Sequence, residues 1–181
     1  MSKLTRMAKL LVKATNNIEK PNNNTNFPPN NNINHNNQNS STNFISRGGI
    51  SFNYPKHYLI ANIPPNTPDC VVALAKDDGL CDIMVEVSKY GKINYQEDIF
   101  EKNYEEYIKG LGFYGVKVID GFGLNRTCLQ ALANTPQGII KSTIYFDFNL
   151  KKDIRITLNT LMQVNYDCTN DLKVIANSLH D

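Results

Sequence analysis

Half of the 28 residues from Asn16 to Asn43 are asparagine, and this tract decides more than any other feature where a core can be built. Asparagine offers little apolar area to offset chain entropy. Its amide also competes for backbone hydrogen bonds, so the run predicts a disordered linker. No role falls to His35 inside it. The chain then divides into a segment 1–20, a linker 21–47 and a globular domain 48–181. With 181 residues and 41% hydrophobic content, one domain plus a tail is the expected size.

Charge follows the same division. Lys3, Arg6, Lys9, Lys13, Lys20 and Arg47 stand against Glu19 alone in residues 1–49, a net of +5, and the remainder, 13 basic against 16 acidic, is −3. A mildly acidic domain lacks the basic stripe of a nucleic-acid binder, so no nucleic-acid partner is expected. In the first segment Leu4, Met7, Ala8, Leu11, Ala14 and Ile18 follow helical spacing, with lysines and Arg6 mostly opposite. A basic amphipathic helix of this kind suits an organelle import presequence, mitochondrial above all, or a membrane-surface helix. The alternative is a solvated extension of a cytoplasmic or nuclear protein. Membrane contact is expected only through residues 1–20. The apolar run Leu10-Leu11-Val12 is too short for a secretory signal.

Cys70, Cys81, Cys128 and Cys168 form no CxxC pair and have no close histidine, so they read as scattered core thiols in a reducing compartment, with no metal and no cofactor implied. A two-residue turn at Asp78-Gly79 would pair Lys76 with Cys81 and set Cys70 opposite Val87, far from a disulfide.

Within the domain, Ile50, Phe52 and Tyr54 alternate with Ser51 and Asn53 and predict a strand that Pro55 stops. Lys56 and His57 then occupy an exposed bend. Cys70–Ala75 and Asp82–Val87 read as a hairpin. The period changes to helical over Asn94–Gly112, where Phe100, Tyr104, Tyr107, Ile108 and Leu111 share a face, with Asn94 as cap and Gly110 and Gly112 as stop. Beside that stripe Glu97, Glu101 and Glu105 form an i, i+4, i+8 row with Asp98 nearby. The row reads as a solvated face or as an acidic partner-docking surface. Val116–Ile119, Cys128–Asn134, Ile139–Phe148 and Ile154–Met162 follow as strands, the last two as a meander with Ile140, Ser142, Ile144, Phe146 and Phe148 answered by Ile154, Ile156, Leu158, Thr160 and Met162. Asp167 or Thr169 caps a closing helix with a stripe of Leu172, Ile175, Ala176 and Leu179, and His180 near its C-terminus. The expected class is α+β, an α/β/α sandwich around a mainly antiparallel sheet.

No dinucleotide, P-loop, nucleophile-elbow or zincin motif occurs. A dyad of His57 with Cys128 or Cys168 is the nearest thing to a nucleophile pair. The expectation is therefore a protein that is not an enzyme, with an enzyme or small-ligand carrier as the alternative if polar groups converge in a pocket.

The opening F-x-Y-P-K-x-Y (Phe52, Tyr54, Pro55, Lys56, Tyr58), then hairpin, helix, meander and a closing I-A-N-S-L (Ile175 to Leu179), resembles the PsbP-like superfamily over residues 48–181. This superfamily takes in photosystem extrinsic proteins, Ran-binding nucleotide-release factors and bacterial envelope relatives. The chain departs from it in having no tryptophan and in carrying Leu179 where an aromatic is common. The resemblance implies a sheet with helices on both faces and a non-catalytic docking or assembly role, supporting a membrane-associated or organelle complex. A Ran-type relative would instead bind a small GTPase through an acidic patch, for which Glu97, Asp98, Glu101 and Glu105 are the candidates. Fold alone does not carry function across such branches.

Overall fold

The computed structural model of the chain describes residues 41–63, 65, 67–88, 97–124, 126–163 and 167–181, and within 97–101 the backbone alone. Segment 1–20, most of the linker, and the cap expected at Asn94 lie outside the described residues.

The first described element is a hairpin, β1 (Thr42–Arg47) with β2 (Ile50–Pro55). Its loop is Gly48-Gly49, flanked by the pair Arg47 and Ile50. Both glycines have positive φ, +66° and +76°. That is the primed two-residue turn whose twist matches the strands it joins, and it demands glycine-like freedom at both positions. A Cβ on Gly48 would also lie 2.4 Å from the Val71 side chain. The boundary expected at residue 48 therefore falls inside a hairpin, and Thr42–Arg47, the end of the stretch read as linker, is a strand. The twin glycines that looked like the end of the tract are its first turn.

The second sheet has seven antiparallel strands in the order β3-β4-β5-β9-β8-β7-β6, where β3 is Tyr58–Ala61, β4 Cys70–Lys76, β5 Cys81–Val87, β6 Tyr114–Ile119, β7 Cys128–Thr135, β8 Gly138–Asp147 and β9 Ile154–Leu161. The chain builds β3-β4-β5, crosses through α1 (Glu97–Gly110) to the far edge, and returns by the meander β6 to β9, which closes the sheet against β5. With two helices, the second being α2 (Thr169–Asn177), this is an α+β fold on a mainly antiparallel sheet.

Two registers differ from expectation. Ala75 does face Asp82 across the β4-β5 hairpin, and Gly79, at φ +69°, makes its turn. A bulge between Cys70 and Val72 then shifts the end of the ladder, so Cys70 pairs with Glu86 and not with Val87. In the meander, Asp147 pairs with Ile154, Tyr145 with Ile156 and Thr143 with Leu158. Ile140, Ser142, Ile144 and Phe146 thus oppose Leu161, Asn159, Thr157 and Arg155, while the Ile154 series points to the other face. Both strands are buried on both sides, so alternation alone did not reveal which series faced which.

The pleat divides the core in the same way. Tyr145 belongs to a large cluster with Phe52, Tyr58, Val72, Leu74, Ile83, Val85, Ile156, Leu172 and Ile175. Its neighbours Ile144 and Phe146 belong to a smaller one with Ile108, Leu129 and Ala131, flanked by Tyr104, Phe113, Val116 and Phe148. Each fully buried large side chain contributes about 1.5–3 kcal/mol, so the larger cluster supplies most of the apolar stabilisation.

The helix ends have local causes. Phe113 N–H bonds the Ile108 carbonyl at 3.2 Å and Gly112 N–H the Lys109 carbonyl at 2.9 Å, with Gly112 at φ +92°. This is a Schellman stop for α1, and it assigns the terminating role to Gly112. At α2, Asp167 Oδ1 accepts the Thr169 N–H at 2.9 Å, whereas Cys168 holds the cap position without a side-chain bond. The hydrogen bonds of Thr169 hold the Asp167 carboxyl below its usual range. His180 lies beyond the helix, which ends at Asn177. Its backbone bridges to Ser51, so it has no part in the helix dipole.

Candidate docking surface

α1 carries the acidic row proposed as a docking face. Its backbone puts residues 97, 101 and 105 at helical spacing along one side, while the side chains of Glu97, Asp98 and Glu101 lie outside the described residues. Glu105 is described, and it is engaged: Lys109 Nζ lies 2.6 Å from its Oε1 and 3.4 Å from Glu106 Oε1. These are i, i+4 and i, i+3 pairs on an exposed face, where solvent screening leaves them little stabilising effect. Tyr107, expected on the inward stripe, is 55% exposed at its margin, whereas Ile108 is buried at 3%.

α1 is held to the sheet by a polar anchor that the sequence did not reveal. Glu86 on β5 and Arg155 on β9 are directly paired in register. Arg155 Nε donates to Glu86 Oε2 at 2.6 Å and Nη2 donates to Oε1, a bidentate fork. Arg155 Nη1 reaches across to Tyr104 Oη on α1 at 2.7 Å, and the guanidinium lies 5.2 Å from the Tyr104 ring centroid. Burial raises the Tyr104 hydroxyl to about 12, although the neighbouring Arg155 charge pulls it down. Burial would lower Arg155; the Glu86 hydrogen bond and the surrounding charges carry it above its ordinary value instead.

Next to this anchor a cleft opens at the end of the sheet. Asp69, Glu86 and Asp153 line it with Arg155, and Phe146 and Phe148 form its aromatic wall. Three carboxylates against one guanidinium leave it net acidic by two charges. The wall belongs to a continuous series: Tyr107 to Tyr104 at 5.7 Å, Tyr104 edge-on to Phe146 at 4.9 Å, Phe146 stacked on Phe148 at 5.9 Å, and Arg126 over Phe148 at 5.0 Å. The aromatic series thus already accepts guanidinium groups at two points.

A second constellation joins the opening and closing motifs. His57 Nε2 lies 3.1 Å from Asp171 Oδ2 in the first turn of α2, and Tyr58 Oη donates to the same oxygen at 3.1 Å. Burial, then the charge of Asp171, pushes the Tyr58 hydroxyl above its ordinary range. Ser178 Oγ accepts the Asn53 N–H at 2.9 Å. Lys56 and His57 are exposed at the bend as expected, yet His57 ties that bend to the last helix. Its described partner is Asp171, not Cys128 or Cys168. All four cysteines are buried thiols. Burial pushes the Cys70 thiol up to about 11 and Cys168 to about 12, the opposite of an activated nucleophile. Among the described residues no group of three or more His, Cys, Asp or Glu could hold a metal ion, and no helix is long and apolar enough to cross a membrane.

No family model and no curated protein matches the chain in sequence. Among solved structures it is similar to the Ran-binding protein Mog1p of Saccharomyces cerevisiae, at 12% identity and TM-score 0.50, covering 77% of this chain and 94% of that one. It is also similar to the cyanobacterial PsbP (CyanoP) of Synechocystis sp. PCC 6803, at 13% identity and TM-score 0.48, covering 77% of this chain and 92% of that one. Identities this low speak to the fold alone. The chain shares the fold of the Ran-binding protein Mog1p.

Proposed function

We propose that this chain is a non-catalytic protein-binding or assembly module, built as a sandwich with one helix over each face of the sheet, and that it docks a basic partner surface in the cleft beside α1. The observation that carries this reading is the lining of the cleft: Asp69 and Asp153 line it together with Phe146 and Phe148, and the sequence of α1 carries Glu97, Glu101 and Glu105 at i, i+4, i+8 spacing. Such a lining complements lysine and arginine, which bury their stems on aromatic rings and pair with carboxylates. Glu97, Asp98, Glu101 and Glu105 extend the same sign of charge along α1 and belong to the proposed surface.

A second reading is favoured by the likeness in fold to a Ran-binding protein: a small GTPase as the partner. Affinity capture of the full chain from native lysate, beside a variant carrying Asp69→Lys and Asp153→Lys, tests the first reading. A partner retained by the wild type and lost by the variant is the expected result; equal retention contradicts it. Titration with a purified small GTPase, nucleotide-free and nucleotide-bound, decides the second. For location, import into an organelle is the proposal resting on segment 1–20, with cytoplasm or nucleus as its rival. A reporter fused to residues 1–25 that stays diffuse in the cytosol would defeat import.

A further inference from the structure

We infer that the acidic cleft is the docking site of the chain's own basic segment, residues 3–20, which occupies it in the absence of a partner. The inference rests on the cleft being a docking surface, as proposed above, and adds its resident occupant. Charge complementarity is the first ground. Segment 1–20 holds Lys3, Arg6, Lys9, Lys13 and Lys20 against Glu19, a net of +4, whereas the cleft holds Asp69, Glu86 and Asp153 against Arg155, a net of −2. The second is the sequence pattern: at the helical spacing read from the sequence, Leu4, Met7, Leu11 and Ile18 would share one side and meet Phe146 and Phe148, with lysines alongside for the carboxylates.

Reach is the third ground. β1 begins at Thr42, and the Gly48 turn at its other end lies against Val71 and accepts a hydrogen bond from Lys152 Nζ at 3.1 Å. Those residues adjoin Cys70 and Asp153, so the cleft lies about 20 Å or more from Thr42, the length of a six-residue strand. A flexible tether as long as residues 21–40 would have a root-mean-square span of about 25 Å. A tether whose span matches the distance gives an effective concentration on the order of millimolar, enough for a modest electrostatic contact to be populated. A free basic partner would then compete with the segment for the same carboxylates.

The test uses the full chain with Ser2→Cys carrying a nitroxide, the four native thiols being buried. At low salt the amide signals of Ser88, Phe148 and Asp153 lose roughly half their intensity or more, while those of α2 do not, and about 0.5 M salt restores them. Lys9→Glu with Lys13→Glu abolishes the loss; so does Asp69→Lys with Asp153→Lys; all four together recover it. Intensity unchanged at the cleft, a loss spread evenly over the domain, or one indifferent to salt and charge overturns the inference. So does a segment that binds anionic vesicles and leaves the cleft signals untouched. Partner capture that depends on Asp69 and Asp153 without any loss of cleft signal defeats this inference alone. Capture indifferent to those residues defeats the proposed function alone.

Discussion

The two apolar clusters, one around each helix, solve the same problem by different chemistry. Around α2 the chain is closed by apolar burial: Phe52, Leu172 and Ile175 are 0% exposed, and the polar atoms present, Ser178, Asp171 and Tyr58, serve to pin one motif to the other. Around α1 the apolar cluster is small, and the helix is held by a half-buried fork of Arg155 with Glu86 and Tyr104 that opens directly into a charged cleft. The first side is built to stay shut and the second to meet something, because a desolvated ion pair contributes little net stability but fixes position and leaves charge at the rim.

That contrast can be broken by mutation. Phe52→Ala on the α2 side removes a wholly buried ring and should cost about 3–5 kcal/mol, read as a drop in denaturant midpoint. Arg155→Met strands Glu86 in a buried site and should cost on the order of 3 kcal/mol, with loss of protection from hydrogen exchange confined to α1. Equal loss over α2 would mean the two sides are not separable. Double replacement of Glu86 and Arg155 by apolar residues should recover most of the cost.

A smaller effect concerns Asp82, whose carboxyl burial raises to about 6, while a hydrogen bond from Asn159 opposes the shift. Its Oδ2 accepts from Asn159 Nδ2 at 3.0 Å, and its Oδ1 has no hydrogen-bond partner among the described residues. With the folded value raised from 3.8, the protonated form is favoured in the fold. Its stabilising contribution is complete below pH 3.8 and is lost as pH rises through about 6. Asp82→Asn should therefore flatten the stability profile between those limits and gain about 1–3 kcal/mol at neutral pH. A profile of unchanged slope would contradict it. Least of all, Ser178→Ala should cost about 1 kcal/mol, by removing the bond to Asn53 N–H.

The two sides also differ in how much of them could be read beforehand. The α2 side was legible: Phe52 and Tyr54 alternate, Leu172, Ile175 and Ala176 stand at helical spacing, and these are the stretches that carried the family resemblance. The twin glycines were visible, but their turn was not, since β1 has the composition of the linker it ends. The α1 side was legible as a helix and not as a site. Nothing in the spacing of Glu86, Tyr104 and Arg155 announces a contact, because a sheet closed by β5 against β9 unites residues 69 positions apart. Likewise Asp69 and Asp153 meet at one cleft only through that closure and the bulge at Cys70, which long-range pairing creates and local propensity does not encode.

The most direct test of the contrast is the charge-reversed cleft, Asp69→Lys with Asp153→Lys, measured for both thermal stability and partner retention. The account predicts a retained fold, with a midpoint lowered modestly because one Asp153 carboxylate oxygen is buried, and partner retention reduced about tenfold or more. A protein that unfolds early while keeping its partner would show that these carboxylates serve the fold and that docking lies elsewhere.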